Sequence, residues 1–239
     1  MQFDERTYGE RIAGVYDEFY AAYDEAQIDL LHELAGDGPA LELGIGTGRI
    51  ALPLRGRGVE VAGIDASPEM IARLRAKPGG DEIEVIEGSF ARFELGRRFR
   101  LVFVVFNTLF ALMTHEDQVS CFQSVADHLA DGGRFLVEAF VPDLARFVAH
   151  QALRAIQVTE EQVQLDASRH DPVTQQITSQ HVLLTEEGVR LYPVKIRYAF
   201  PSELDLMARL AGLARLHRWS SWDKQEFTAG SGMHISVSG

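Results

Sequence analysis

Apolar residues fall in short runs along the first two thirds of the chain, at 40–43, 59–64, 83–86, 101–106 and 135–140, with helical stretches between them. Runs of this length, separated by helices rather than by tight turns, predict a parallel sheet covered on both faces. Ahead of them, residues 8–35 have helical character. An aromatic-rich start (Tyr8, Tyr16, Phe19, Tyr20, Tyr23) leads into Ile28, Leu30, Leu31 and Leu34, and Gly36-Asp37-Gly38-Pro39 breaks the pattern. Two further helix starts are marked. Ser67-Pro68-Glu69 puts a cap residue before a first-turn proline, and Thr114-His115-Glu116-Asp117 has the form of a capping box opening a helix over 115–130. Asp131-Gly132-Gly133 is expected to end that helix and feed the next strand.

The pattern changes after residue 150. Segments 157–165, 175–184 and 189–200 alternate and carry β-branched residues, and they are joined by Asp171-Pro172 and Glu186-Glu187-Gly188. Such hairpin-type connections predict a small antiparallel lobe, 151–200, inserted into the parallel fold. Pro201-Ser202-Glu203 opens a last helix ending near Gly212, and two strands near 215–222 and 234–237 close the chain. The expected organisation is one domain over 1–239: an arm (1–35), a core (38–150), the lobe (151–200) and a closing helix and strands (201–239).

Bulk properties narrow the function. A length of 239 residues accommodates one large α/β domain with an insertion. A net charge of −12 argues against a protein that neutralises nucleic-acid phosphates. Cys121 is the single cysteine and reads as a small buried residue of a helix. No apolar run reaches the ~18 residues of a membrane span, and Met1-Gln2-Phe3-Asp4-Glu5 lacks the basic start of a secretion signal. The expectation is a soluble, cytoplasmic protein with a small-molecule substrate and no nucleic-acid or membrane partner; a homo-oligomer is left open. No Cys, His and carboxylate grouping has zinc spacing, so no metal is expected.

The candidate chemistry lies at Leu41-Glu42-Leu43-Gly44-Ile45-Gly46-Thr47-Gly48-Arg49, which follows an apolar strand and opens a helix. Glycines there let a backbone approach a ligand closely. The dinucleotide fingerprint G-x-G-x-x-G would need glycine where this chain has Arg49; the pattern is G-x-G-x-G, with Glu42 just upstream. Asp65 ends the next apolar strand, about one helix and one strand further on, where a carboxylate can accept hydrogen bonds from ribose hydroxyls. Capping of the following helix is already provided by Ser67.

This combination, E-x-G-x-G-x-G followed by an acid ending the second strand, resembles the S-adenosylmethionine (SAM) site of class I methyltransferases. The resemblance runs over roughly residues 38–141. It implies an α/β, Rossmann-like class I methyltransferase sheet with helices on both faces and the antiparallel lobe inserted. It also implies that SAM lies against Glu42, Gly44, Gly46, Gly48, Asp65, Ala66, Met70, Ser89, Phe90 and Phe106. Ser89 stands where that family often has an aspartate near adenine. Tyr8 and Tyr16 resemble the N-terminal arm of antibiotic-tailoring N-methyltransferases acting on amino sugars or lincosamide-like amines.

The acceptor is accordingly expected between Tyr8 and Tyr16, Asn107 and Phe110 after the fourth strand, and the lobe. Tyr16 and His115 are the candidate catalytic residues, although Tyr16 equally suits the packed face of an amphipathic helix and His115 an exposed first turn. His234 is a second candidate base. Glu138 is expected as a buried carboxylate with a hydrogen-bond partner, and Trp219 and Trp222 as packing residues. The segment 107–111 offers no titratable side chain, which favours N-methylation by alignment over O-methylation. Two other readings remain at this point: a nicotinamide-dependent oxidoreductase, opposed by Arg49, and a SAM-binding protein without catalysis.

Overall fold

A computed structural model of the chain describes Gly9 and residues 12–20 and 22–239. Five strands pair in parallel: β1 (Ala40–Leu43), β2 (Val61–Asp65), β3 (Glu84–Glu87), β4 (Phe99–Val104) and β5 (Leu129–Phe140), in the spatial order β3-β2-β1-β4-β5. Both faces of this sheet carry buried apolar residues, as the short apolar runs required. In β4, Val102 and Val104 join one core, while Leu101 and Phe103 join the core on the opposite face. Helices α2 (Glu25–Ala35) and α3 (Ala51–Gly56) cover the second of these faces. The other is covered by α5 (His115–His128), through Cys121, Phe122 and Val125, and by α6 (Pro201–Leu210). The cap residues act as their types dictate. Ser67 Oγ accepts the Met70 amide at the start of α4 (Pro68–Arg75), and Thr114 Oγ1 accepts that of Asp117.

Chain direction changes in the second half. β6 (Gln151–Val158), β7 (Gln162–Asp171), β8 (Gln176–Thr185) and β9 (Gly188–Arg197) form a separate antiparallel sheet of consecutive hairpins. After α6 the chain returns to the main sheet, where β11 (Met233–Ser238) runs antiparallel to β5 and β10 (Arg215–Trp219) antiparallel to β11. The lobe therefore leaves the core after β5 and re-enters it at α6.

Three local expectations change. The lobe has four strands rather than three, because 157–165 straddles the β6–β7 turn, closed by Thr159 N to Gln162 O. Strand β6 is exposed along most of its length and so shows no clean alternation. The arm is not one helix: α1 (Tyr16–Tyr20) stops before Asp24, whose side chain caps α2 by accepting from Ala26 N. Helix α5 ends at His128, and Asp131-Gly132-Gly133 lies within the irregular start of β5, where Gly132 takes φ 68°.

Candidate active site

Strand β1 is flanked by β2 on one side and β4 on the other, and ligands of open α/β sheets bind at the strand carboxyl ends where the order reverses in this way. A cavity of about 320 Å³ opens there. Its floor is the glycine turn after β1 and the Asp65–Ser67 turn after β2; Met70 and Phe90 form one wall. Tyr16 and Tyr20 of α1 cover it, and His181, Val194, Lys195 and Ile196 of the lobe close the far side.

The three glycines of the turn differ in function. All have positive φ, but a Cβ at Gly44 would lie 2.4 Å from Thr108 Cγ2, and one at Gly48 2.3 Å from Leu74 Cδ1. Packing explains those two. At Gly46 the nearest atom to an added Cβ is Gly44 O at 4.0 Å, so its open side is the cavity.

Asp65 ties the two turns together: Oδ2 accepts from Gly46 N at 2.7 Å and Oδ1 from Ser67 N at 2.9 Å. Burial raises its pKa despite these amides, which act in the opposite direction. Glu42 lies fully buried beneath the same turn. Burial pushes its carboxyl up to about 8, with Arg49 opposing and Asp65 adding to the shift, and its Oε2 has no hydrogen-bond partner among the described residues.

The opposite wall follows β4, where Phe106 and Asn107 take consecutive left-handed conformations, φ 58° and 64°. Each costs roughly 1–3 kcal/mol outside glycine and persists only when its surroundings impose it. Here Glu138 Oε2 accepts from Phe106 N at 2.8 Å, Glu138 O from Asn107 N at 3.3 Å, and Asn107 Oδ1 from Phe140 N at 2.7 Å. Phe106 is held on the cavity side between Tyr20, edge-on at 5.2 Å, and the Arg49 guanidinium at 4.8 Å.

Helix α1 is fastened over the cavity. Thr47 Oγ1 donates to Asp17 at 2.6 Å, and Lys77 Nζ bridges Asp17 at 2.9 Å and Thr47 O at 2.8 Å. Ile12, Ala13, Met70, Leu183 and Tyr192 form one apolar cluster that joins arm, core and lobe. Burial, only partly offset by Arg49, pushes the Tyr16 phenol up to about 12, so at neutral pH it can donate a hydrogen bond but not accept a proton.

Of the residues expected from the sequence, Gly44, Gly46, Asp65, Ala66, Met70, Phe90, Phe106, Asn107 and Tyr16 line the cavity. Others do not. Gly48 packs on α4, Phe110 is buried edge-on to Phe140 at 5.2 Å, and Ser89 Oγ accepts from Ala91 N. Tyr8 lies outside the described residues. His115 is drawn away from the cavity into a cluster with Arg197 and with Glu203 Oε1 at 2.7 Å. His234 is buried in β11, its Nδ1 2.9 Å from Ser236 Oγ, and burial lowers it to about 4. Cys121 is buried with its thiol pushed up by desolvation. The sequence reading passed over Arg49 as a contact, and over Thr108 and His181; only Arg49, at the end of the glycine pattern, carried a signal. No metal-binding grouping occurs among the described residues, and no helix there is long and apolar enough to cross a membrane.

Residues 40–133 match the family model of the methyltransferase domain. A putative methyltransferase, YqeM of Bacillus subtilis, is 32% identical over 130 residues, 53% of this chain and 53% of that one, so the match spans about half its length. The structure of the CcbJ methyltransferase from Streptomyces caelestis is 39% identical over 99% of this chain and 98% of that one, with a TM-score of 0.92. SAM-bound CalS10 of Micromonospora echinaspora, an amino pentose methyltransferase, shares the fold at 20% identity and a TM-score of 0.70, over 93% of this chain and 96% of that one.

Proposed function

We infer that this chain, which belongs to the SAM-dependent methyltransferases, transfers the methyl group of SAM to the nitrogen of a small, partly apolar amine. The observation that carries the reading is one cavity running from the Gly46 and Asp65 turns to aromatic and lobe residues. Its near end suits SAM. Gly46 leaves room for a backbone-hugging ligand, Asp65 offers a carboxylate to ribose hydroxyls, and Glu42 is a buried carboxyl with one oxygen unpaired. In this reading residues 38–150 hold the cofactor, and the arm (1–35) and lobe (151–200) enclose the acceptor, with 201–239 completing the sheet.

Bound SAM supplies a methyl carbon already activated by its sulfonium. The chain contributes alignment and exclusion of water, which in-line displacement rewards strongly. Aromatic cover from Tyr16, Tyr20, Phe106 and Phe140 favours a modest-sized acceptor, and the −12 charge disfavours nucleic acid. An amine is favoured over a hydroxyl because the Tyr16 phenol is held protonated and His115 is engaged by Arg197 and Glu203. Neither of these two side chains is thereby free to act as a base towards an alcohol. The fold of CalS10, an amino pentose methyltransferase, is a precedent for such acceptors.

The test is labelled SAM with panels of amines, hydroxyl compounds and RNA, preceded by calorimetry with SAM and with NAD. SAM binding with label on amines is the expected result. NAD binding in place of SAM would refute the family-level reading of the site, and label confined to hydroxyls or RNA would refute the acceptor.

A further inference from the structure

A second cavity of about 410 Å³ continues from the first beneath the lobe. The residues common to both walls are Asn107, Phe140, His181, Val194 and Ile196. Three of these five are apolar, and Asn107 Oδ1 is already committed to Phe140 N at 2.7 Å. His181 is the one titratable side chain at the passage. It is half-buried on β8, and neither ring nitrogen has a hydrogen-bond partner among the described residues. Neither nitrogen is sealed off as a buried unpaired atom either, so both remain reachable from the cavities.

We propose that His181 is the catalytic residue that takes the proton from the acceptor's ammonium group. This rests on the amine reading above. An amine enters mostly protonated at neutral pH and has no lone pair to donate. One ring nitrogen of His181 accepts the N–H proton, and the freed lone pair forms the bond to the methyl carbon. The carbon–sulfur bond breaks with its electron pair kept by sulfur, and the charge count is unchanged because the imidazolium carries the proton. The second cavity provides the exit, since the exposed Arg146 and Arg154 on its wall open it to water. An imidazole with ring nitrogens left unengaged suits this task, because it can take up a proton in place and pass it on to water.

The surroundings fit a group that changes charge. Asp166 lies directly opposite on β7 and Tyr192 opposite on β9. Lys195 lines the first cavity and Tyr20 of the arm shares a cleft with His181. Across the second cavity stand Arg146 and Arg154 with Asp143 and Asp166, two charges of each sign. Asp166 is buried and accepts a hydrogen bond from Ser168 Oγ at 2.7 Å, which leaves its carboxylate able to favour an imidazolium across the strand pair.

The experiment uses the whole chain with the best amine from the labelled panel. His181→Asn should bind S-adenosylhomocysteine as the wild type does, while kcat falls roughly 10²-fold with KM within about threefold. Its residual rate should climb with pH towards the amine's own pKa, whereas the wild-type profile levels off nearer neutrality. The 13C-labelled His181 ring, followed by NMR with S-adenosylhomocysteine bound, should shift on adding the amine. Added imidazole should restore turnover to His181→Ala. A His181→Asn enzyme with kcat within threefold of wild type, or a ring signal indifferent to the amine, overturns the assignment. Wild-type turnover of hydroxyl compounds alone is a separate outcome: it overturns the amine reading and with it an ammonium proton for His181 to take.

Discussion

Glu138 Oε2 accepts the amide hydrogen of Phe106 at 2.8 Å, across the gap between β5 and the end of β4. This one contact fixes a left-handed residue whose ring faces the cavity. Burial raises the Glu138 pKa, while the Phe106 amide and Arg49 oppose the rise. Glu138→Ala leaves a donor unpaired beside a strained turn, and is expected to lose about 1–3 kcal/mol of stability and to weaken S-adenosylhomocysteine binding. Glu138→Gln keeps an acceptor oxygen and should recover most of both. Thermal unfolding with calorimetry checks this; equal behaviour of the two variants would show that the contact does not hold the turn.

Gly46 and Gly48 should respond differently to substitution. At Gly46 an added Cβ meets no protein atom closely and a larger side chain enters the cavity mouth, so Gly46→Val should fold while S-adenosylhomocysteine binding disappears. A left-handed φ of 56° adds strain of about 1 kcal/mol or more. Gly48→Ala drives a Cβ against buried Leu74 and should lower the melting temperature without a separate binding defect. Intact binding in Gly46→Val is the result that contradicts the cofactor site.

Asp65→Ala should reduce SAM affinity by roughly 1.5–3 kcal/mol, about 10- to 100-fold, the usual range for charge-assisted hydrogen bonds. Because Asp65 also receives the Gly46 and Ser67 amides, some stability goes with it. Asp65→Asn keeps one acceptor oxygen, enough for one of the two amides, and removes the charge, so it should recover part of the stability without recovering the affinity. Calorimetric titration at matched folded fraction is the measurement, and undiminished affinity in Asp65→Ala would count against ribose binding here.

Acid should weaken the junction between lobe and core. Burial alone would raise Glu203, yet hydrogen bonds from Arg197, Gln175, His115 and the Phe200 amide hold it down to about 2. A depressed folded pKa stabilises above the unfolded value of 4.5, and that contribution is lost as pH falls from there towards 2. Reduced by solvent screening of this partly exposed cluster, the contribution is about 1–2 kcal/mol at neutral pH. Denaturant unfolding of wild type and Glu203→Gln should therefore differ at pH 7 and converge near pH 2. A gap that does not change with pH would mean that the carboxylate charge is not what stabilises this cluster.

Much of the fold was legible because its determinants are local. Strands buried on both faces read as short, mostly apolar runs, and Ser67 and Thr114 cap helices by hydroxyl chemistry that depends on the next three residues. Asp65 was legible because the strand–turn–helix repeat fixes where a strand-end carboxylate stands. Strand β6 was not, since a strand exposed along most of its length leaves no hydrophobic period. His115 looked close to the acceptor by its position after β4, but Arg197 and Glu203, more than eighty residues later, claim its ring. His181 was invisible for the complementary reason: its place at the passage depends on strand pairing and on how the lobe meets Asn107 and Phe140, neither of which leaves a mark around residue 181.

The fastening of α1 by Asp17, Thr47 and Lys77, and the apolar cluster that sews the arm to α4 and the lobe, make the arm a shared door. On the function proposed above, cofactor and acceptor lie under the same helix, and product release would then have to undo contacts on the core and on the lobe together. Residence time of the product then depends on how firmly the arm is shut, and not only on the speed of methyl transfer. A tighter seal shields the reacting groups better from water but slows the traffic. The polar half of that seal is small, one partly buried carboxylate shared between a hydroxyl and an ammonium.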